Sequence, residues 1–290
     1  MSNGLSRRLV LKSGLLAIGT AALGKPITET STFDTPAPPA TDPWYGLKAG
    51  IASYTFRKLS LDETIKATQL LGLQYISIKD FHLSLKSSTE ERKSAIGKLK
   101  AAGITAMSCG NVTMENDEAM IRQAFEYARD CGIPTIVCSP DPKSFPLLDK
   151  AVKEFNIKLA IHNHGPEDKR WPSPYDVWNA IKNYDTRIGL CIDVGHTARA
   201  KVNPAEAIIK CKSRLYDLHF KDIESTEPNG GTIQAGRGVL SLKAILSSII
   251  KIKYQGLLSV EYERSPDNAY PEVAETIGYT KGLLKGMMAK

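Results

Sequence analysis

The histidines of this chain occupy similar positions in the sequence. Each of the five ends or closely follows a short apolar segment of strand-like composition: His82, His162, His164, His196 and His219. Imidazole is a common ligand of transition metals and a proton carrier near neutral pH. One histidine in such a position is usually structural, but five together favour a metal or proton-transfer site.

Two carboxylates are placed in the same way. Asp193 and Glu261 each stand at the end of a short apolar run. A buried carboxylate is costly unless it is paired or bound to a metal. Together with His162 and His219 they form a mixed nitrogen and oxygen set, which suits Zn²⁺, Mn²⁺, Co²⁺ or Fe²⁺ better than Mg²⁺ or Ca²⁺. We therefore expect these four residues to bind one divalent metal ion. The alternative is that they cap strands and form salt bridges.

Strand-like and helix-like segments alternate along the chain from about residue 47. Short β-rich runs cover residues 49–54, 74–79, 105–109, 135–138, 158–162, 188–193, 215–220 and 257–262. Segments with helical periodicity cover residues 61–71, 90–102, 117–131, 147–155, 174–184, 204–211, 240–250 and 271–285. Gly72, Gly103 and Gly132 follow the first three of these segments and mark their ends.

Eight β–α repeats in about 240 residues predict a (β/α)8 TIM barrel, an α/β fold. The barrel would form a single domain over residues 47–290. The alternative is an open doubly wound sheet, but residues 49–53 lack the Gly-x-Gly-x-x-Gly sequence that many such folds carry. Because barrel enzymes build their sites at the carboxyl ends of the strands, this fold would bring the histidines and carboxylates to one rim.

The amino terminus has the features of an export signal. Arg7 and Arg8 precede an apolar run over residues 15–23, and paired arginines are typical of the twin-arginine route. The run is shorter than the roughly 20 residues that a membrane-spanning helix needs, so we expect no stable membrane insertion after the signal is removed. Residues 1–24 are predicted to be the signal peptide, and the Thr/Pro-rich residues 25–46 a linker. The mature protein would be periplasmic or otherwise exported; the alternative is a cytosolic protein with a basic tail.

Charge and cysteine content limit the classes of partner. The formal charge of +7 falls to about +4 once the three basic residues of the signal peptide are removed. The other Lys and Arg residues are scattered among acids with no basic block, so we expect no nucleic-acid partner. The five cysteines include no Cys-x-x-Cys pair, and we expect mostly buried thiols. The sequence leaves a homo-oligomer open.

Five short motifs, taken in order, resemble the xylose isomerase-like sugar isomerase/epimerase family, which includes inosose dehydratases, ketose 3-epimerases and endonuclease IV. The resemblance covers roughly residues 47–285, and its motifs are Ser53-Tyr54-Thr55-Phe56-Arg57, Ala160-Ile161-His162-Asn163-His164-Gly165, Ile192-Asp193-Val194-Gly195-His196, Leu218-His219-Phe220-Lys221-Asp222 and Val260-Glu261-Tyr262. It implies that Asp193, His219 and Glu261 bind a metal. Many relatives have a glutamate where this chain has His162, and losing that carboxylate base disfavours epimerisation on both faces of a substrate.

The resemblance also implies a reaction. In this family a base removes a proton beside a carbonyl that the metal polarises, which gives an enediolate. Reprotonation elsewhere would make the protein an isomerase, and loss of a β-leaving group or its reverse would make it a lyase or hydratase. We expect a small carbohydrate substrate, a keto sugar or 3-keto-glycoside, since sugar phosphates are chiefly cytoplasmic. The alternatives are an isomerase or epimerase of free sugars and a non-catalytic sugar-binding barrel. An endonuclease role would need further metal ligands and a basic groove.

Other residues of the same rim are candidates for catalysis or substrate binding. Glu261 is the preferred base, and His164 and His196 are candidates for acid–base chemistry. Lys79 is a candidate for holding the substrate or protonating a leaving oxygen. The substrate-binding candidates are Arg57, His82, Trp171, Lys221 and Arg237, of which the indole would stack on a sugar face. Ordinary rim surface is an equally good interpretation of Lys79, Trp171 and Arg237.

Overall fold

Eight parallel strands close into a barrel in the computed structural model, which describes residues 42–289. The strands of the chain are β1 (Lys48–Ala52), β2 (Tyr75–Ile78), β3 (Thr105–Met114), β4 (Thr135–Pro140), β5 (Lys158–His162), β6 (Ile188–Asp193), β7 (Leu215–Phe220), β8 (Asp222–Ile223), β9 (Thr232–Ile233) and β10 (Leu257–Val260). The order around the barrel is β1-β10-β7-β6-β5-β4-β3-β2, and β8 and β9 form a separate two-stranded ribbon. Because β1 pairs with both β10 and β2, the barrel prediction is confirmed and the open sheet is excluded.

Helices follow the strands along the chain, as expected for this fold. They are α1 (Leu61–Leu70), α2 (Thr89–Ala101), α3 (Glu118–Asp130), α4 (Phe145–Phe155), α5 (Pro174–Ala180), α6 (Val194–Arg199), α7 (Pro204–Lys210), α8 (Leu242–Lys251) and α9 (Tyr270–Met288). Capping boxes begin α1 and α2: the Ser60 and Ser88 hydroxyls accept hydrogen bonds from the backbone N–H groups of Glu63 and Glu91. Each cap is worth about 1 kcal/mol. The predicted helices therefore form close to their expected bounds.

The inner face of the barrel carries small side chains below the candidate ligands. Val137, Ala160 and Cys191 are fully buried and pack against one another. Side chains two residues apart on a strand share a face. His162 and Asp193 lie two residues beyond Ala160 and Cys191, so the alternation that fills the barrel also brings the ligand candidates to its carboxyl rim.

Strand β3 runs further than predicted and is irregular. Its pairing with β4 shifts register between Cys109 and Val112. The two residues that this shift leaves out of the pairing, Gly110 and Asn111, lie at the rim of the barrel and line the pocket described below. The sequence prediction ended this strand at Cys109 and therefore missed both.

A short helix, α6, follows β6 directly and was not predicted. The Asp193 carboxylate caps it by accepting a hydrogen bond of 2.8 Å from the backbone N–H of His196. This turn brings His196 back over the end of β6. One residue therefore serves as the last residue of a strand, as a helix cap and as a candidate metal ligand.

Most of the predictions for the amino terminus concern residues outside the part of the chain that the structure describes. The predicted signal peptide and residues 25–41 of the predicted linker lie outside the described residues. Residues 43–46 form a turn before β1. Within residues 42–289, no helix combines the length and apolar character needed to cross a membrane.

All five cysteines are buried free thiols, as predicted.

Candidate active site

Four side chains from four strand ends meet at the carboxyl rim of the barrel. His162 Nε2 lies 3.1 Å from His219 Nδ1 and 3.5 Å from Asp193 Oδ2. His219 Nδ1 lies 3.1 Å from Glu261 Oε2 and 3.8 Å from Asp193 Oδ2. All four residues are at most 8% exposed. The structure thus brings together the four residues that the sequence predicted as ligands.

The spacing of these donors fits a divalent metal ion. Four ligands at about 2.0–2.2 Å from a tetrahedral zinc ion lie about 3.3–3.6 Å from one another. The separations of 3.1–3.8 Å between the donor atoms straddle that range. Asp193 Oδ2 is buried, and its partner within residues 42–289 is the Lys221 ammonium, 2.8 Å away in a contact without ordinary hydrogen-bond geometry. A buried carboxylate oxygen of this kind is a natural metal ligand.

Burial and neighbouring charges put His162, Asp193 and Glu261 in the protonation states that metal binding needs. Burial would lower the pKa of His219, but the Glu261 carboxylate raises it above its usual value, so His219 must release a proton to bind a metal. Burial lowers the pKa of His162 to about 4, so its imidazole is neutral at neutral pH. Burial alone would raise the pKa of Asp193, but its neighbours His196 and Lys221 hold it well below its usual value. Burial would likewise raise the pKa of Glu261, but the charges of His219 and Lys221 lower it strongly. Both carboxylates are therefore ionised.

The lysine predicted to bind substrate belongs to the centre itself. Lys221 is 3% exposed, and its Nζ lies 2.8 Å from Asp193 Oδ2 and 2.7 Å from Glu261 Oε2. It also donates a short hydrogen bond to Glu263. Burial would lower the pKa of Lys221, but these three carboxylates raise it well above its usual value. The substrate-binding assignment is corrected: the ammonium is an internal counter-ion of the candidate ligands.

A cavity of about 180 Å³ opens above the four donors. Its lining residues are Ala52, Tyr54, Lys79, Gly110, Asn111, His162, His164, His196, His219, Glu261 and Glu263. Drug-sized ligands usually occupy pockets of roughly 300–1,000 Å³. A smaller cavity with so many polar groups suits a small polar ligand.

Two further histidines form one wall of this cavity. The His164 ring lies 4.5 Å from the His196 ring and 5.4 Å from the His162 ring, measured between centroids. His164 is exposed. Burial holds the pKa of His196 well below its usual value, so this imidazole is neutral. Its Nδ1 makes a short contact with Arg199. The two rings offer proton-transfer groups beside the candidate metal site.

Lys79 also lines the cavity. Its ammonium donates a hydrogen bond of 2.9 Å to the backbone carbonyl of Asn111. Burial lowers its pKa, which makes the ammonium a better proton donor than an exposed lysine. The structure therefore keeps Lys79 among the candidates for acid catalysis.

Two predicted substrate contacts are wrong. Trp171 is 2% exposed, and its indole N–H donates a hydrogen bond of 2.9 Å to the Pro140 carbonyl while its ring packs against Phe145. Because both faces are buried, this ring cannot stack on a sugar. Arg237 lies outside the cavity and pairs with Glu275 on the surface. Its position on the loop that follows β7 was the reason for the prediction, but the loop carries it away from the site.

Arg57 and His82 also act differently from the prediction. The Arg57 guanidinium donates a hydrogen bond of 2.6 Å to the Glu263 carbonyl and lies over the Tyr54 ring, so it supports two lining residues without lining the cavity. The His82 ring lies 2.9 Å from the Ser53 hydroxyl and 3.0 Å from that of Thr64. These contacts of His82 connect the segment after β2 to the segment after β1. Both residues position the site.

Sequence reasoning missed five lining residues: Ala52, Tyr54, Gly110, Asn111 and Glu263. Glu263 stands two residues after Glu261 and so falls on the same face of the extended chain. That spacing was a usable signal. Asn111 had no comparable signal because it depends on the register shift in β3.

The fold and the donor set define a class: parallel barrels with a His/Asp/Glu centre at the carboxyl rim. The family model described as xylose isomerase-like TIM barrel matches residues 65–281. This chain belongs to that family, as its sequence motifs predicted.

Individual relatives are distant. Inosose dehydratase from Lacticaseibacillus casei is 22% identical over 139 residues, which make up 43% of this chain and 46% of that protein. The chain thus matches about half the length of this curated relative. The crystal structure of IolI protein with a zinc atom gives a TM-score of 0.68 at 16% identity and covers 84% of this chain and 100% of IolI. The apo structure of the E. coli 3-keto-D-glucoside 4-epimerase YcjR gives 0.67 at 14% identity, with 81% and 99% covered. These structures share the fold.

Proposed function

We propose that this protein is a divalent-metal-dependent enzyme that acts on a keto sugar or 3-keto-glycoside through an enediolate. The proposal depends on one observation above all. His162, His219 and Glu261 line a small polar cavity that also carries proton-transfer groups, and the buried Asp193 completes the donor set beside them. A bound divalent ion would polarise the substrate carbonyl and share the negative charge that develops on its oxygen.

Glu261 is the base that we propose for proton removal. Its carboxylate is ionised and stands at the cavity floor beside the donors. It would take the proton from the carbon next to the carbonyl, and the electron pair of that C–H bond would enter the enediolate. The low pKa of this carboxylate makes it a modest base, which suffices only because the polarised carbonyl acidifies the neighbouring C–H.

Other groups of the cavity lining would complete the reaction. In an elimination, the enediolate re-forms the carbonyl, the electron pair of its C=C bond forms a new double bond between the α- and β-carbons, and the β-carbon–oxygen bond breaks with its pair leaving on oxygen. Lys79 or His164 would supply the proton to the departing oxygen. Both groups line the cavity, and burial lowers the pKa of Lys79, which eases proton donation. In an isomerisation, a histidine of the cavity lining would return the proton to a different carbon.

His162 favours elimination or hydration over epimerisation. A two-face epimerase needs a base on each side of the substrate, and a carboxylate here would supply the second. The neutral His162 imidazole is turned toward the other donors and has a pKa of about 4, so it is a weak base. A distant relative named inosose dehydratase and a barrel named 3-keto-D-glucoside 4-epimerase support a ketone-bearing substrate.

The predicted export signal supports an unphosphorylated substrate, and we propose a periplasmic or otherwise exported location. Isomerisation of a free sugar is the second candidate reaction, supported by the same cavity. A sugar-binding barrel without turnover would need the same cavity but no working base.

Deuterium exchange tests the proposal. A 3-keto-glucoside incubated with the metal-loaded enzyme in heavy water should gain deuterium next to the ketone or release its aglycone. Glu261→Gln should slow both about 10²–10⁴-fold under metal saturation, while Arg237→Ala, which alters a residue outside the cavity, should retain them. If the wild-type protein binds keto sugars but exchanges no deuterium, the binding-barrel alternative is favoured instead.

A further inference from the structure

A second donor set adjoins the first. One ligand atom each from Asp193, His196 and Glu263 lies within 4.8 Å of the other two. Asp193 belongs to both sets. Two cation sites that share a carboxylate are the usual arrangement of two-metal centres, whose ions lie about 3.5–4 Å apart. The rim therefore has enough ligands for two cations.

A side chain of the protein already supplies a cation there. The Lys221 ammonium contacts Asp193 Oδ2 at 2.8 Å and makes a still shorter contact with Glu263. It also lies 2.7 Å from Glu261 Oε2. Two of the three residues of the second set are thus bound to this one group, which is 3% exposed.

The backbone at Gly195 leaves room for the Lys221 side chain. A Cβ atom at Gly195 would lie 2.9 Å from Lys221 Cδ, closer than real Cβ atoms approach, and 3.0 Å from Lys221 Cγ, which is tighter than most real contacts. Only glycine leaves room for the aliphatic stem to cross the start of α6 and reach the carboxylates. The ammonium is therefore held in place by packing as well as by charge.

We propose that Lys221 takes the place of a second metal ion. Its ammonium is the resident cation of the Asp193, His196 and Glu263 set, and it limits the centre to one divalent ion. The charges agree with this assignment: three carboxylates, Asp193, Glu261 and Glu263, are balanced by one ammonium and one divalent ion. The inference depends on the proposed metal centre but not on the identity of the sugar or on turnover.

Metal stoichiometry tests it. Protein freed of metal by a chelator is titrated with Zn²⁺ in a calorimeter, and the bound zinc is counted by elemental analysis after gel filtration. Wild-type protein should bind one equivalent. Lys221→Met, which keeps the stem but removes the charge, should bind two. Lys221→Met/Glu263→Gln, which also removes a ligand of the second set, should return to one, as should the charge-conserving Lys221→Arg.

Lys221→Gln replaces Lys221→Met if the latter does not fold, and circular dichroism checks each variant. Charge-neutral variants that fold and still bind a single ion overturn the inference. Two equivalents bound by the wild type overturn it as well, while leaving the metal dependence intact. One equivalent in the wild type and two in Lys221→Met support the inference, whether or not a keto sugar is turned over. A lack of turnover would refute only the proposed function.

Discussion

Changing Asp193 to Asn removes one buried negative charge but keeps the shape of the side chain and its hydrogen bond to the His196 amide. Asp193 Oδ2 lies 3.5 Å and 3.8 Å from the two histidine nitrogens of the donor set. Losing a partner that merely orients a ligand costs 10–100-fold in metal affinity. Losing the ligand charge itself should therefore cost at least about 100-fold, or about 2.7 kcal/mol.

This loss can be measured as a change in metal-dependent stability. At a free zinc concentration 1,000 times the dissociation constant, the metal stabilises the wild-type fold by about 4.1 kcal/mol. After a 100-fold loss of affinity, the same concentration stabilises the variant by only about 1.4 kcal/mol. Urea unfolding with zinc and with a chelator gives both differences.

Asp193→Ala separates the cap from the charge. It also removes the bond to the His196 amide, so its metal-free fold should be about 1 kcal/mol less stable than that of Asp193→Asn. Zinc stabilisation of Asp193→Asn equal to that of the wild type would refute the assignment of Asp193 as a ligand.

Three further predictions concern the remaining site and its corrected residues. Glu261→Gln should slow deuterium exchange about 10²–10⁴-fold under metal saturation, measured by NMR, whereas a normal rate would place the base elsewhere. Metal-free protein should lose stability as the pH falls from about 6.5 to 4. In this range His162 binds a proton in the unfolded chain but not in the folded state, where its pKa is about 4. His162→Asn should flatten that dependence in urea titrations; an unchanged slope would assign it to other groups. Trp171→Phe should lower the unfolding free energy by about 1 kcal/mol through its lost hydrogen bond to Pro140 and leave the KM unchanged, and a raised KM would restore the indole to the site.

The fold followed from the sequence because its signals are local. Strand-like runs, helical periodicity and stop residues such as Gly72 each occur within a few positions, and the number of repeats selected the barrel. The ligand positions followed from the same reasoning. His162 and Asp193 end their strands, so any closed parallel barrel must bring them to one rim.

The rest depended on contacts that sequence spacing does not contain. Whether Lys221 pointed at a substrate or at the carboxylates was set by the space that Gly195 leaves for its stem. Trp171 lies on the loop after β5, and the packing of Phe145 and the Pro140 carbonyl decided that it is buried. Asn111 lines the cavity because the pairing of β3 with β4 shifts register, and no residue pattern predicted that shift.

Anomalous X-ray diffraction at the zinc edge, on crystals grown with Zn²⁺, tests whether the four residues bind one metal ion. We expect one anomalous peak about 2.0–2.2 Å from His162 Nε2, Asp193 Oδ2, His219 Nδ1 and Glu261 Oε2. A keto sugar soaked into the same crystals should place its carbonyl oxygen beside that peak. Crystals that hold zinc only at other positions, with no anomalous density beside these four donors, would show that they do not form the metal site.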